Sequence, residues 1–223
     1  EEGVVRAGDI DVLANGSMAG VDLERFHPDS AAGSRIRAEL GIVGDACCLL
    51  FVGRLTGEKG VDELVAAFTQ LGTRHPGLHL LLVGPDEEGY DEFLPKTPRL
   101  HRVGYTQVVE EYMAAADVFC LPSHREGFGL VLIEAGAVGL PVVASRIYGV
   151  TDAVVDGETG LLHRPGDVGD LVEKLDILIR DRSRREALGE AGRSRAIAMF
   201  RAELVTTAMC GFLRSQFEAG GKP

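Results

Sequence analysis

A mainly parallel β-sheet covered by helices on both faces is expected from three features of this 223-residue chain. Short apolar runs ended by glycine alternate with longer amphipathic stretches, the pattern of repeated strand-to-helix units. Glycines number 29 against nine prolines, which supplies many tight turns. Hydrophobic residues make up 45% of the chain, enough for one large α/β core.

The run from Ala46 to Gly53, ACCLLFVG, is the first core strand, apolar throughout because both of its faces are covered. Lys59 to His75 then carries Val61, Leu64, Val65, Phe68 and Leu71 at helical spacing and is stopped by Pro76 and Gly77. The alternation continues with a strand from His79 to Gly84, a helical stretch around Glu87 to Leu94, a strand from Arg99 to Gly104 and a helix from Val108 to Ala116. A strand from Asp117 to Ser123, a helix from Phe128 to Val138 and a strand from Pro141 to Ser145 complete a Rossmann-like series. From Asp167 to Glu218 the pattern is two or three helices, broken near Asp181 to Ser183 and near Phe200. Arg180, Arg182, Arg184 and Arg185 gather at the first break, where cations suit the negative end of a helix. Ala219 to Pro223 reads as a disordered tail, and no internal repeat divides the chain.

Charge narrows the range of partners. The net charge is -11 and the pI about 5.0, which excludes nucleic-acid binding driven by overall charge and allows at most peripheral contact with an anionic membrane. No run approaches the roughly 20 apolar residues of a membrane span, and the opening EEGVVRAGDIDV has no signal-peptide pattern. Cys47, Cys48 and Cys120 sit in apolar runs without a CxxC pair, so reduced packing thiols in a cytoplasmic protein are expected. His75, His79, His101, His124 and His163 are scattered, and no metal-ligand cluster is expected.

Open parallel sheets take ligands at the carboxyl ends of their strands, so the loops there are the places to look for chemistry. In Gly53 to Gly60, GRLTGEKG, glycines allow close backbone approach while Arg54 and Lys59 supply two cations near a helix N-terminus. That is chemistry for a phosphate or diphosphate. The loop is not a P-loop, since Glu58 precedes Lys59 and Gly60 follows it, and no G-x-G-x-x-G dinucleotide fingerprint is present.

The second loop, Ser123 to Glu134, places Glu126 just before Gly127, Phe128, Gly129 and Leu130, which are expected to open a helix with free backbone amides. Glu126 can accept hydrogen bonds from sugar hydroxyls beside that anion site. Glu134 follows roughly 12 Å further along by helix rise, so the two carboxylates suit opposite ends of one extended ligand. They are less suited to the facing pair of a glycoside hydrolase, which stands roughly 5 to 9 Å apart.

The string EGFGLVLIEAGAVGLPVVAS, Glu126 to Ser145, resembles the signature of glycosyltransferase family 4, whose members are retaining GT-B enzymes. Asn15 to Pro28 (NGSMAGVDLERFHP), Phe51 to Phe68, LLLVGP, ADVFCLPS and Asp156 to Leu162 resemble further motifs of that family in order, so the likeness covers nearly the whole chain. The resemblance implies that Gly53, Arg54 and Lys59 receive the donor diphosphate and that Glu126 is the catalytic residue at the transferred sugar. It implies that Glu134 holds the ribose, that Gly127, Phe128, Gly129 and Leu130 contact sugar and phosphate, and that Val103, Tyr105 and Thr106 lie beside the base. No cofactor and no obligatory metal follow from it.

Residues 1–28 are then a segment leading into the donor domain, 29–199 the donor domain itself, and 200–223 a C-terminal helix and tail. Family members carry an N-terminal acceptor domain before the segment matching Asn15, and this chain is expected to lack it and to be inactive alone. The expected function is retaining transfer of a hexose-type sugar from a nucleotide donor to a hydroxyl, as in surface-polysaccharide synthesis. A nucleotide-sugar epimerase of the same fold and a non-catalytic binding module are the alternatives.

Overall fold

In the computed structural model, which describes residues 12–220, six parallel strands form one sheet. They are β1 (Cys48–Val52), β2 (His79–Val83), β3 (Leu100–Val103), β4 (Val118–Leu121), β5 (Val142–Ser145) and β6 (Gly160–His163). Their spatial order is β3-β2-β1-β4-β5-β6. The chain therefore runs outward from β1 to β3, then returns across to β4 on the other side of β1. Between β1 and β4 successive connections depart in opposite directions, leaving a crevice at the carboxyl ends of those strands.

The apolar runs are strands because both faces are covered. Cys48, Leu49, Leu50 and Phe51 of β1 and Val118, Phe119 and Cys120 of β4 are fully buried. The helices are α1 (Ser30–Glu39), α2 (Val61–Arg74), α3 (Val109–Ala115), α4 (Leu130–Val138), α5 (Val150–Ala153), α6 (Val168–Arg180), α7 (Arg182–Met199) and α8 (Ala202–Gly220). Helix α2 packs on α6, while α1 packs on α3 and α4 on α7, giving a helical layer on each face. Helix α2 buries Leu64, Phe68 and Leu71 against the sheet, each contributing about 1.5–3 kcal/mol. Helix α4 is apolar nearly all round because it is sandwiched. Gly136 lets it approach α7 so closely that an added Cβ would stand 3.2 Å from the Gly192 carbonyl oxygen.

The breaks expected near Asp181 and Phe200 are the α6–α7 and α7–α8 junctions. At the first, Arg185 donates to the carbonyls of Leu178 and Ile179, capping the end of α6. At the second, Val21 of the leading segment donates to the Phe200 carbonyl at 2.7 Å and accepts from the Ala202 amide at 3.0 Å. Cys47, Cys48 and Cys120 are free, buried thiols, whereas Cys210 is exposed on α8.

Several expectations need correction. The stretch from Glu87 to Leu94 holds only a single 3-10 turn, Tyr90–Glu92, because the Asp86 carboxylate gathers the amides of Glu88, Gly89, Tyr90 and Asp91 into a compact loop. Helix α4 begins at Leu130, since Gly129 is left-handed (φ 69°). Gly127 and Phe128 thus form the turn ahead of the helix and do not open it. The histidines are not all scattered: His79 and His101 stack with ring centroids 5.2 Å apart and share a 2.9 Å Nδ1···Nε2 hydrogen bond. Ala219 and Gly220 continue α8 in place of a disordered tail, and the rest of that tail, 221–223, lies outside the described residues, as do residues 1–11 of the opening segment.

Candidate functional site

The loops after β1 and β4 meet at the carboxyl edge, and backbone contacts bring them there. The His124 amide donates to the Glu58 carbonyl at 2.9 Å. Gly60, at φ 71°, lies so close to the β4 loop that an added Cβ would be 2.2 Å from the Pro122 carbonyl oxygen. This approach delivers Lys59 to Glu126, with Nζ 2.6 Å from Oε1. Both side chains are largely sequestered, at 19% and 12% exposure. Ser123 Oγ donates to the same carboxylate oxygen at 2.9 Å. Glu126 is thus a fixed, doubly bonded acceptor beside a cation, 67 residues away from its partner in sequence.

Arg54 is on the same edge but faces the other way. Its guanidinium binds Glu87, in the loop after β2, at 2.9 Å, and about half of it is open to solvent. Gly53 sits between the two directions, with the Gly84 backbone packed so tightly on it that a Cβ there would be 1.9 Å from the Gly53 carbonyl oxygen. The two cations therefore share an edge without converging on one partner.

The turn before α4 is buttressed from behind. Gly149, at φ 86°, approaches so closely that an added Cβ would be 2.3 Å from the Gly127 carbonyl oxygen. Phe128 meets Phe200 edge-on, with centroids 5.5 Å apart, and Gly16 of the leading segment lies against the same ring. Leu130 starts α4, whose leading turn has no side-chain cap, while the Leu132 amide donates to the Gly129 carbonyl at 2.8 Å.

Glu134 has charged neighbours of its own. It lies on α4 near Arg25 of the leading segment, which forms a 2.7 Å ion pair with Glu110 of α3. Burial raises the Glu134 carboxyl above the ordinary carboxylate value; nearby Arg25 opposes this and Glu110 adds to it. Val103 ends the edge strand β3, roughly 10 Å from β1 by strand spacing. Tyr105 beyond it is exposed, and Thr106 Oγ1 accepts the Val108 amide ahead of α3. Among the described residues no three His, Cys, Asp or Glu side chains are grouped as metal ligands.

Sequence reasoning missed Ser123, Arg25 and the Glu87–Glu88 pair as parts of this edge. Ser123 ends a quoted strand and Arg25 lies in the leading motif, but their partners are distant in sequence. Glu87 and Glu88 were hidden by the helical reading of their loop. At the opposite, amino edge lies a cleft of about 640 Å³, whose basic lining is already committed. There Arg37 bonds the Ala115 carbonyl and Asp117, Arg182 pairs with Glu186, and Arg185 caps α6.

The family model described as glycosyl transferases group 1 matches residues 34–195, well over half of the chain. The chain belongs to that family. A relative, the capsular polysaccharide biosynthesis glycosyltransferase CapM of Staphylococcus aureus, is 32% identical over 88% of this chain and 53% of its own length. Among solved structures, sucrose-phosphate synthase from Thermosynechococcus elongatus superposes with a TM-score of 0.80 at 35% identity, covering 90% of this chain and 52% of that one. Anabaena HepE, solved in complex with UDP, gives a TM-score of 0.80 at 25% identity over 88% of this chain and 56% of that one. The chain spans about half the length of the curated relatives it matches. Among the described residues no helix is long and apolar enough to cross a membrane.

Proposed function

We propose that this chain holds a nucleoside diphosphate sugar in the crevice between the loops after β1 and β4, as the donor half of a retaining hexosyltransferase. The observation that carries the reading is the Lys59–Glu126 contact, which joins a cation and a sugar-competent acceptor where the sheet's connections diverge. The family assignment and the solved HepE complex with UDP support it.

In this reading Lys59 and Arg54 neutralise the diphosphate, Arg54 turning from Glu87 to do so, while Gly53 and the amides from Gly127 to Leu130 line its path. The leaving diphosphate gains negative charge as the glycosidic bond breaks, and fixed cations and amides stabilise that charge without a metal ion or cofactor. Glu126, held by Ser123 and Lys59, accepts hydroxyl hydrogens at the reacting face of the sugar. Glu134 holds the ribose from α4, and Val103, Tyr105 and Thr106 flank the base. The acceptor hydroxyl is presented by a second unit of comparable length, and without it this chain binds donor but turns over poorly, because positioning supplies much of the rate. We place the reaction in the cytoplasm, on a pathway to a surface polysaccharide.

The test is a thermal-shift and calorimetric titration with UDP, GDP and ADP, repeated with Lys59→Met. A ligand bound only by the native state adds about 2.7 kcal/mol of stability at a hundred times its Kd and thereby raises the melting temperature. The expected result is stabilisation by one of the three and its loss in Lys59→Met. No shift with any of them at millimolar concentration overturns the assignment.

A further inference from the structure

The 3-10 turn Gly57–Lys59 places Lys59, yet it has no cap of its own. Thr56, which precedes it, makes no side-chain hydrogen bond to the turn, and its Oγ1 is buried without a partner. The leading amide of the turn is satisfied from outside: Gly57 N donates to Glu88 Oε2 at 2.8 Å. Glu88 stands in the Asp86 loop, which is knotted by four amide bonds to one carboxylate and laced to the β1 loop by backbone bonds. Leu55 N donates to the Pro85 carbonyl at 2.8 Å, and Glu87 N to the Leu55 carbonyl at 3.4 Å. Tyr90 from the same loop donates to Asp62 Oδ2 at 2.9 Å, at the start of α2. Around Gly57, a point one Cβ away from its backbone lies 3.6 Å from Tyr90 Oη, 3.8 Å from Glu88 Oε2 and 3.9 Å from Asp62 Oδ2. The loop after β2 thus grips the turn that carries Lys59.

We infer that Glu88 is a positioning residue for the diphosphate-binding turn, acting as its N-terminal cap from the neighbouring loop and thereby aiming Lys59 at the crevice. The inference rests on the proposed donor site and deepens it. A carboxylate is an odd choice beside a site for an anion, since its charge opposes the ligand while its oxygen holds the turn. The useful property is the acceptor, not the charge. Removal of the acceptor leaves the Gly57 amide to solvent and lets Lys59 wander, whereas replacing the charge with a neutral acceptor keeps the geometry.

Glu88 is exposed, so its substitution removes no buried packing and the variants can be compared directly. Glu88→Ala, Glu88→Gln and, as a control in the same loop, Glu92→Ala are each measured twice. The first measurement is hydrogen exchange of the 53–60 segment without ligand. The second is titration with UDP, GDP and ADP. Glu88→Ala is expected to lose exchange protection in the turn and to bind its nucleotide about tenfold more weakly. Glu88→Gln keeps the protection and binds as well as the parent or better, and Glu92→Ala changes neither. Unaltered protection in Glu88→Ala, equal losses in Glu88→Gln, or the same losses in Glu92→Ala each overturn the inference. If the parent chain binds none of the three nucleotides, the donor-site reading fails, and the exchange measurement still decides whether Glu88 sets the turn.

Discussion

Lys59 Nζ stands 2.6 Å from Glu126 Oε1, and the pair ties together the two loops that border the crevice. Removing the cation leaves Glu126 sequestered with only Ser123 as donor. Lys59→Met is therefore expected to destabilise the fold by about 1–3 kcal/mol. Lys59→Met combined with Glu126→Gln is expected to recover at least about 1 kcal/mol of that loss, because the orphaned charge is gone. Denaturant melts of the single and double variants measure the coupling, and strictly additive losses would show that the contact carries no energy.

Gly149 holds the turn ahead of α4 from behind at a positive φ that side chains rarely adopt. Gly149→Ala forces a Cβ into the carbonyls of Gly127 and Glu126 and is expected to cost about 3 kcal/mol or more. The turn then shifts, and nucleotide affinity falls along with the melting temperature. Full affinity in the variant would mean that this buttress does not position the turn.

Glu134 should separate stability from binding. Its carboxyl is held above the ordinary value chiefly by burial, which disfavours its ionised form in the folded state. Glu134→Gln is expected to melt at the same temperature or higher. If Glu134 holds the ribose, the same variant binds nucleotide about tenfold or more weakly, the range for a charge-assisted hydrogen bond. Thermal melts and titration calorimetry on one preparation read both quantities.

The buried His163 ring makes stability fall on mild acidification. Its Nδ1 donates to the Arg164 carbonyl and its Nε2 accepts from Ser145 Oγ, the arrangement of a neutral ring. Burial depresses its pKa below 6.5, partly offset by the Arg164 carbonyl bond and by Asp170, Asp167 and Glu63. The unfolded chain therefore binds more protons between the folded value and 6.5. Stability is fully present above 6.5 and is lost as pH drops through the folded pKa, at no more than about 1.4 kcal/mol per pH unit for each histidine. His79 and His101, also depressed mainly by burial, act with the same sign. Urea melts at pH 7.5 and 5.5 should show the drop, and His163→Gln should reduce it.

The sheet was legible in the sequence because double-sided burial writes itself as unbroken apolar runs, as in Cys48 to Val52 and Val118 to Leu121. Helix α2 was legible because only one side of it is buried, which leaves a stripe at helical spacing. The loop from Asp86 to Leu94 was not. Its conformation is set by one aspartate side chain collecting four amides, a local bonding choice that periodicity does not register. At the candidate site, the two loops and the identity of Lys59 and Glu126 were visible from strand ends and glycines. The divergence of Arg54 toward Glu87 was not, since that partner is 33 residues away on a different strand's loop. Nor could the start of α4 be fixed, because Gly129 is compatible with a helix until its φ is known.

Finally, the thiols of the central strands make the molecule its own clock. Cys48 and Cys120 are fully enclosed, burial pushes the Cys47 thiol up to about 12, and Cys210 alone stands in solvent. An alkylating reagent should mark Cys210 in the resting protein at once, and Cys48 and Cys120 only as fast as β1 and β4 come apart. The ratio of singly to fully tagged chains then times how often the floor of the crevice opens.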